Sequence, residues 1–180
     1  MRNFKYLALV VALFLANAPF ASAGCGDLSG WDKAKWGMEG AELENIYGAA
    51  LRLDDSIVSS GETNIHFIYY IPEFMVEKRM YRIAFGLNDE GKLQAVQLTA
   101  IFSDHETVTS RFDSVLAYLI DKYGEPAEKM SALKGTARTY FWNFLKARII
   151  IQGMDPDVLK LKDLRKQFTI TYLEEPQSKD

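Results

Sequence analysis

The sequence has a single cysteine, Cys25, and only two histidines, His66 and His105, among its 180 residues. One cysteine cannot form an internal disulfide framework, so the packing of apolar side chains has to hold the fold together. Hydrophobic residues make up 48% of the chain and charged residues 25%. This composition excludes a disordered or collagen-like chain, and the length suits one domain of ordinary size.

Motifs for nucleophilic and phosphate chemistry are also missing. The chain has no Gly-x-Ser-x-Gly elbow and no Gly-x-x-x-x-Gly-Lys-Ser/Thr loop. His105 lies between Asp104 and Glu106, but adjacent residues at a helix start point in different directions, and an acidic first turn explains them without a metal ion. We therefore predict no cofactor, no metal and no catalytic residue. A hydrolase without a recognisable motif is the less favoured alternative.

The first 23 residues have the three parts of a secretory signal. Arg2 and Lys5 give a positively charged start, residues 6–16 form an apolar run, and a tail of small residues ends at Ala23. The apolar run is too short to span a bilayer as a helix, and its length fits the central part of a signal. We predict that residues 1–23 are a signal peptide, and that the mature protein is periplasmic or secreted.

Cys25 allows a second interpretation of this terminus. The residues Ser22-Ala23-Gly24-Cys25 resemble the small residues that precede a lipid-modified cysteine in bacterial lipoproteins, although Ser22 stands where leucine is usual. Cleavage after Ala23 would instead leave Cys25 as a free thiol close to the new terminus. The alternatives are a soluble protein, an outer-membrane lipid anchor at Cys25, or an intermolecular disulfide.

The charge balance narrows the choice of partners. Removal of residues 1–23 leaves 19 basic and 24 acidic residues, a net charge of −5. Such a balance gives no general attraction to nucleic acid or anionic lipid. The mature chain also has no second long apolar run. We therefore expect no nucleic-acid partner and no transmembrane segment in the mature chain.

Two segments have the three- and four-residue spacing of amphipathic helices. They cover residues 36–51 and 103–123, and the second has an apolar stripe along its whole length. Ser103 and Glu106 have capping-box spacing, which predicts that the second helix begins there. Gly124 follows it and supplies a left-handed exit from the helix.

Six further segments are rich in aromatic and branched residues, mostly in period-two alternation, which is typical of strands. They cover residues 63–71, 78–87, 92–102, 136–145, 147–152 and 167–173. The short polar segment 88–91 separates the second from the third and predicts an antiparallel hairpin. Residues 154–166 are charged and predict a loop.

The predicted elements repeat in the same order, because each helix ends at a Tyr-Gly pair and is followed by three strands. The sequence therefore predicts an α+β fold of two αβββ units that share one antiparallel sheet, with both helices packed on one face. The expected divisions are a flexible lead-in at 24–35, a single domain at 36–175 with sub-units of about 36–102 and 103–175, and a polar tail at 176–180.

Two short motifs are similar to those of small bacterial periplasmic domains. They are WGM (residues 36–38) before an acidic helix, and LIDKYGEP (residues 119–126) before a strand that contains Trp142. The tandem order of elements resembles β-lactamase-inhibitor-protein-like domains and outer-membrane-assembly lipoproteins over most of the mature chain. The resemblance implies a domain that binds other proteins. It assigns no functional residue, because the motifs concern helix ends and core packing.

Basic residues concentrate in the second half of the chain. Residues 24–103 carry 7 basic and 12 acidic residues, whereas residues 129–166 carry 9 basic and 3 acidic residues. A basic surface edged by aromatic residues suits an acidic protein, an anionic lipid head group or a glycan. Alternatively, the aromatic residues belong to the core and the basic ones to a solvated loop. The candidate binding residues are Arg138, Tyr140, Trp142, Lys160, Lys162, Arg165 and Lys166.

A second candidate surface is the apolar segment 69–75, in which Tyr70 and Phe74 are the candidate contact residues. An apolar tip where a strand becomes a loop marks a contact surface, unless it folds back onto the helices. We conclude that the sequence predicts an exported, non-catalytic binding domain whose partner is a protein or another envelope component. The competing interpretation is an envelope-assembly lipoprotein tethered through Cys25.

Overall fold

The computed structural model describes residues 28–59, 64–103, 105–132, 135–155 and 166–175. Two strands, two helices and eight further strands occur in these ranges. In chain order they are β1 (Gly30–Trp31), β2 (Ala34–Lys35), α1 (Gly40–Tyr47) with a 3-10 turn (Gly48–Ala50), β3 (Arg52–Ser59), β4 (His66–Val76), β5 (Arg79–Leu87), β6 (Leu93–Ala100), α2 (Val108–Tyr123), β7 (Glu128–Ala132), β8 (Ala137–Asn143), β9 (Ala147–Met154) and β10 (Gln167–Glu174).

Strands β3 to β10 form one antiparallel sheet in the order β3-β4-β5-β6-β10-β9-β8-β7. The fold is α+β, as the sequence predicts. The arrangement does not confirm two units of three strands, because four strands follow each helix. The two strands that the sequence pattern did not indicate, β3 and β7, lie at the two edges of the sheet. The halves meet in the middle, where β10 pairs with β6.

Both helices pack on the same face of the sheet. One row of paired residues on this face is Phe85, Val96, Tyr172, Ile149 and Trp142, and paired residues of adjacent strands share a face. Helix α1 contributes Tyr47, whose ring lies 5.1 Å from the ring of Phe85. Helix α2 contributes Phe112, whose ring lies 5.9 Å from the ring of Phe168. Most buried hydrophobic residues of both halves belong to one cluster.

Helix α2 begins later than its sequence pattern indicates. Its N-cap is Thr107, whose hydroxyl accepts a hydrogen bond from the Ser110 backbone N–H at 3.1 Å, while the Ser110 hydroxyl accepts one from the Thr107 N–H at 3.3 Å. The capping box predicted at Ser103 and Glu106 is therefore wrong, because the Glu106 carboxylate binds Arg111 instead. The helix ends at Gly124, with φ of 80°, as predicted.

The start of the described chain is more ordered than a flexible lead-in. Strands β1 and β2 form a hairpin in which Trp31 and Ala34 are buried. The ring of Trp31 lies 5.7 Å from the ring of Phe74. Helix α1 also begins later than residue 36, because the backbones of Gly37 and Met38 exchange hydrogen bonds with Leu93. Gly37 has φ of 80° and Met38 pairs with Leu93, so neither residue forms the first turn of the helix.

The hairpin predicted between β5 and β6 is confirmed. Asn88 organises its turn, since its side-chain oxygen accepts hydrogen bonds from the backbone N–H groups of Glu90 and Lys92, both at 3.0 Å. No helix in the described ranges is both long and apolar enough to cross a membrane. The signal peptide, Cys25, residues 156–165 and the tail at 176–180 lie outside the described residues, so the predictions for them stay predictions.

Candidate functional site

Neither helix covers the second face of the sheet, which we call the open face. A row of paired residues crosses all eight strands on this face: Arg52, Tyr70, Ala84, Gln97, Thr171, Ile150, Phe141 and Glu128. A parallel row is Arg82, Thr99, Thr169, Gln152, Thr139 and Met130. The open face therefore carries threonine and glutamine side chains over much of its width, with arginine and tyrosine at one side, while Phe141 and Ile150 on the same face are buried.

Two exposed arginines flank Tyr70 on the open face. The guanidinium carbon of Arg82 lies 4.3 Å from the centroid of the Tyr70 ring. Arg52 is the partner of Tyr70 on the edge strand β3, and both arginine side chains are exposed. A guanidinium stacks favourably on the face of an aromatic ring. This Arg–Tyr–Arg cluster (Arg52, Tyr70, Arg82) thus presents two cations beside an aromatic ring.

An apolar patch adjoins the Arg–Tyr–Arg cluster. Met75 and Met80 are partners on β4 and β5, and the N–H of Ile101 donates to the Met80 carbonyl at 3.0 Å. Met75 is 66% exposed and Ile101 is 40% exposed. Large apolar side chains at such exposure are typical of contact surfaces when they lie together. We call Met75, Met80 and Ile101 the methionine patch.

A cleft opens on the helix-covered side, between α2 and the β4–β5 turn. Its volume is about 490 Å³. Its floor comes from the sheet and its wall from α2, while the turn forms its rim. The lining residues are Val76, Glu77, Lys78, Arg79, Tyr81, Leu98, Ser114, Val115, Tyr118, Leu119, Ile170 and Tyr172. The three tyrosines and the aliphatic residues make the interior mainly apolar.

Charged groups at one end of the cleft are paired with each other. The Arg79 guanidinium donates to the Ser114 hydroxyl at 2.5 Å, and its Nε lies 3.9 Å from a Glu106 carboxylate oxygen. Glu106 also accepts hydrogen bonds from Arg111, which is 2% exposed. The hydrogen bonds and charge of Arg111 lower the pKa of Glu106. Because burial raises the pKa of Tyr172, its phenol stays protonated near neutral pH.

Arg138, Tyr140 and Trp142 share a strand face, as the alternation predicts, but this is the helix-covered face. Trp142 is fully buried, and its indole N–H donates to the Gly124 carbonyl at 2.8 Å. Arg138 lies over the Phe112 ring, 4.0 Å from its centroid, and makes an ion pair of 2.7 Å with Asp113. The prediction that Trp142 is a surface contact residue is wrong, because its ring is buried in the core and a partner has no access to it.

The other predicted site residues are spread widely. Tyr70 lies on the open face, whereas Phe74 packs against Trp31 on the helix-covered side. Both belong to β4 and not to a loop, and a register shift between Ile71 and Phe74 changes the local alternation. Lys166 is half-buried just before β10. Lys160, Lys162, Arg165 and Cys25 lie outside the described residues.

The histidines are placed apart. His66 Nε2 lies 2.9 Å from a carboxylate oxygen of Asp89, in an exposed pair that joins β4 to the β5–β6 turn. His105 is exposed ahead of α2. Within the described ranges, no three histidine, cysteine or acidic side chains converge on a point where a metal ion would bind.

Comparisons with known proteins assign no family. No family model and no curated protein matches the chain. Among solved structures, the chain is similar to a DUF4309 family protein, YjgB, from Bacillus subtilis, with a TM-score of 0.42 and 4% sequence identity over 76% of this chain and 78% of that chain. Similarity at this level identifies neither a family nor a function.

Sequence reasoning missed most residues of these two surfaces. Tyr70 was among the predicted contact residues, and strand alternation in β5 sets Arg82 opposite Tyr81 and Ile83, so signals were present for two members of the Arg–Tyr–Arg cluster. No sequence signal joins the residues of the cleft. They come from β4, β5, β6, α2 and β10, and only the folded chain brings them together.

Proposed function

We propose that this chain is an exported, non-catalytic binding domain of the bacterial envelope, and that its open face binds an acidic protein. The observation that carries the proposal is the Arg–Tyr–Arg cluster beside the methionine patch, on a sheet face that neither helix covers. We also propose that the two helix-plus-strands halves act as two units that share this sheet.

The residue types favour a protein partner. Tyrosine, arginine and methionine are enriched at the centres of protein interfaces, and methionine adapts its shape to the surface that it meets. The row of threonine and glutamine side chains beside the cluster supplies hydrogen-bonding groups over a broad area. A broad surface of this kind fits another protein better than a small molecule, which needs a concave site.

Charge complementarity favours an acidic partner. The segment 24–103 has a net charge of −5, and two of its arginines, Arg52 and Arg82, are exposed beside Tyr70 on the open face. An acidic partner that contacts Tyr70 would meet these two cations. Arginine binds carboxylates through two parallel hydrogen bonds, which gives direction as well as attraction.

A binding experiment tests this proposal with matched variants. A photo-crosslinking residue at position 75 lies in the methionine patch, and one at position 145 replaces Leu145, which is exposed away from that patch. Envelope extract is used to identify the partner, which is then purified and titrated. We expect crosslinking from position 75 and little from position 145.

Charge reversal tests the arginines. Arg52→Glu with Arg82→Glu should weaken binding of the purified partner at least tenfold, whereas Lys33→Glu with Lys35→Glu, at exposed positions in the β1–β2 hairpin, should leave it unchanged. Circular dichroism confirms that each variant folds. Equal binding by both double variants contradicts the proposal. A loss with Lys160, Lys162 and Lys166 reversed to glutamate, but not with the arginines reversed, would assign the site to the basic segment.

Export rests on residues 1–23, and the lipid-anchored alternative rests on the residues Ser22-Ala23-Gly24-Cys25. Mass spectrometry of the mature protein from a bacterial host separates them. A terminus at Gly24 supports the soluble protein, and a diacylated Cys25 supports the lipoprotein. An unprocessed Met1 contradicts the signal peptide.

A further inference from the structure

We propose that the cleft between α2 and the β4–β5 turn binds a small, uncharged, hydrophobic molecule that contains a ring and a hydrogen-bond acceptor. This site is separate from the open face, since it lies on the helix-covered side of the sheet. Binding of a protein partner to the open face does not explain the presence of this cleft.

The size and lining of the cleft suit such a ligand. A volume of about 490 Å³ falls within the range of natural ligand pockets, which are mostly apolar with a few placed polar groups. Leu98, Val115, Leu119 and Ile170 line the interior. Tyr118, which is 43% exposed, stands at the wall where an aromatic or alicyclic ring would lie against it.

Tyr172 supplies a polar group inside the cleft. Its side chain lines the cleft and is 9% exposed, and its hydroxyl makes no hydrogen bond with any described residue. No fully buried side-chain N or O atom in the described ranges lacks a partner, so the Tyr172 hydroxyl is not sealed in the core and is reached from the cleft. A placed polar group in an apolar site orients a ligand, so this hydroxyl identifies where the acceptor of a ligand would be placed.

The charges around the cleft favour an uncharged ligand. Glu77 and Lys78 are adjacent on the rim and have opposite charges. Arg79 is already paired with Ser114 and Glu106. A charged ligand would therefore lose hydration on entry without meeting an unpaired opposite charge inside, which is unfavourable. The phenol of Tyr172 can donate a hydrogen bond to a carbonyl or ether at any pH near neutrality.

The rim itself is held in an unusual backbone conformation. Glu77 and Lys78 have φ of 47° and 62°, values that side chains larger than glycine adopt at a cost. A two-residue hairpin turn of type I′ needs positive φ at both of its central residues, so the β4–β5 connection accounts for these values. Here they turn the β4–β5 hairpin over the mouth of the cleft.

The test uses three naphthalene probes and the full chain. The ketone 2-acetylnaphthalene has the ring and the acceptor, 2-ethylnaphthalene lacks the acceptor, and 2-naphthoate adds a negative charge. Nuclear magnetic resonance titration measures each dissociation constant and shows which amides shift. We expect the ketone to bind about tenfold more tightly than the hydrocarbon, from one hydrogen bond to a buried phenol, and more tightly than the naphthoate.

Variants at and away from the cleft decide the outcome. Tyr172→Phe should abolish the advantage of the ketone over the hydrocarbon, while Tyr70→Phe, which removes a hydroxyl on the open face, should leave it intact. Ser114→Trp should block all three probes. The proposal is overturned if the wild type shows no saturable binding, if Tyr172→Phe retains the ketone advantage, or if the amide shifts lie on the open face. Tyr172→Phe should not change partner capture by the open face, so the two proposals fail independently.

Discussion

The two faces of the sheet are formed by the same strands but differ in the residues that they carry. On β9, Ile151 is fully buried beneath the helices, whereas its neighbour Ile150 lies on the open face, where it is 9% exposed between its strand partners Phe141 and Thr171. The helix-covered face is built from large apolar rings and branched aliphatic residues. The open face instead carries many threonines, which have the branched shape that strands favour and a hydroxyl that tolerates water. The apolar residues on the open face, such as Phe141 at 8% exposed, are nonetheless buried, so the two faces differ more in composition than in burial.

Substitution of the two isoleucines measures this difference most directly. Ile151→Thr places a hydroxyl in the core and removes apolar contacts, so we expect a loss of about 3 kcal/mol of unfolding free energy. Ile150→Thr should cost about 1 kcal/mol, because the new hydroxyl lies among the threonines of the open face. Urea unfolding followed by tryptophan fluorescence measures both. Equal losses would show that the two faces are buried to the same degree.

Removal of the charge of Glu106, the partner of the buried Arg111, should give the next largest loss of stability. Glu106→Gln leaves Arg111 without a carboxylate partner, and we expect the unfolding free energy to fall by roughly 2 kcal/mol at pH 7. The native pKa of Glu106 is lowered, so its contribution is present above the ordinary glutamate pKa of about 4.3 and is lost as the pH falls through the native value. The difference between variant and wild type should therefore shrink in acid.

An exposed ion pair provides the control for that measurement. Glu125→Gln removes the partner of Lys129, 2.8 Å away at the surface, and should have no measurable effect on unfolding, since exposed pairs contribute little. A pH-independent loss in Glu106→Gln would contradict the role assigned to its charge.

Variants in the β4–β5 turn should change the unfolding free energy less than Glu106→Gln does, and with the opposite sign. Glu77→Asn with Lys78→Gly supplies residues that favour positive φ, and should raise the unfolding free energy by about 1 kcal/mol. Gly91→Ala in the β5–β6 turn, where φ is 74° and no atom crowds the added carbon, should lower it by about 1 kcal/mol. Thermal unfolding compares them. A destabilised Asn-Gly turn would show that Glu77 and Lys78 make stabilising contacts.

The sequence predicted the inner strands better than the edge strands, for a physical reason. Apolar and polar or small residues alternate along Arg79–Leu87 in strand β5. They do so because one face of this strand packs under the helices and the other does not. The edge strand β7 (Glu128–Ala132) has the sequence EKMSA and no such pattern. It is a strand because β8 offers it a partner, which is information that a local pattern does not contain.

The open face was more predictable from sequence than the cleft, again because a local pattern carries no information about long-range packing. Tyr70 and Arg82 lie on strands whose alternation is readable, so a face could be assigned to them. The cleft depends on how α2 approaches β10 and the β4–β5 turn, and the lengths and angles of those contacts follow from core packing. Trp142 shows what strand alternation leaves undetermined. The alternation correctly predicted that Trp142 shares a face with Tyr140 and Arg138, but it did not indicate which face of the sheet the helices cover.

The central position of β10 in the sheet affects the order in which the chain can fold. This strand is the last in the order of synthesis among the described elements, yet it separates β6 from β9. Until it emerges, both neighbours present unpaired backbone groups that are able to pair with other chains. The sheet therefore closes only once β10 is available, and this late, long-range pairing slows folding.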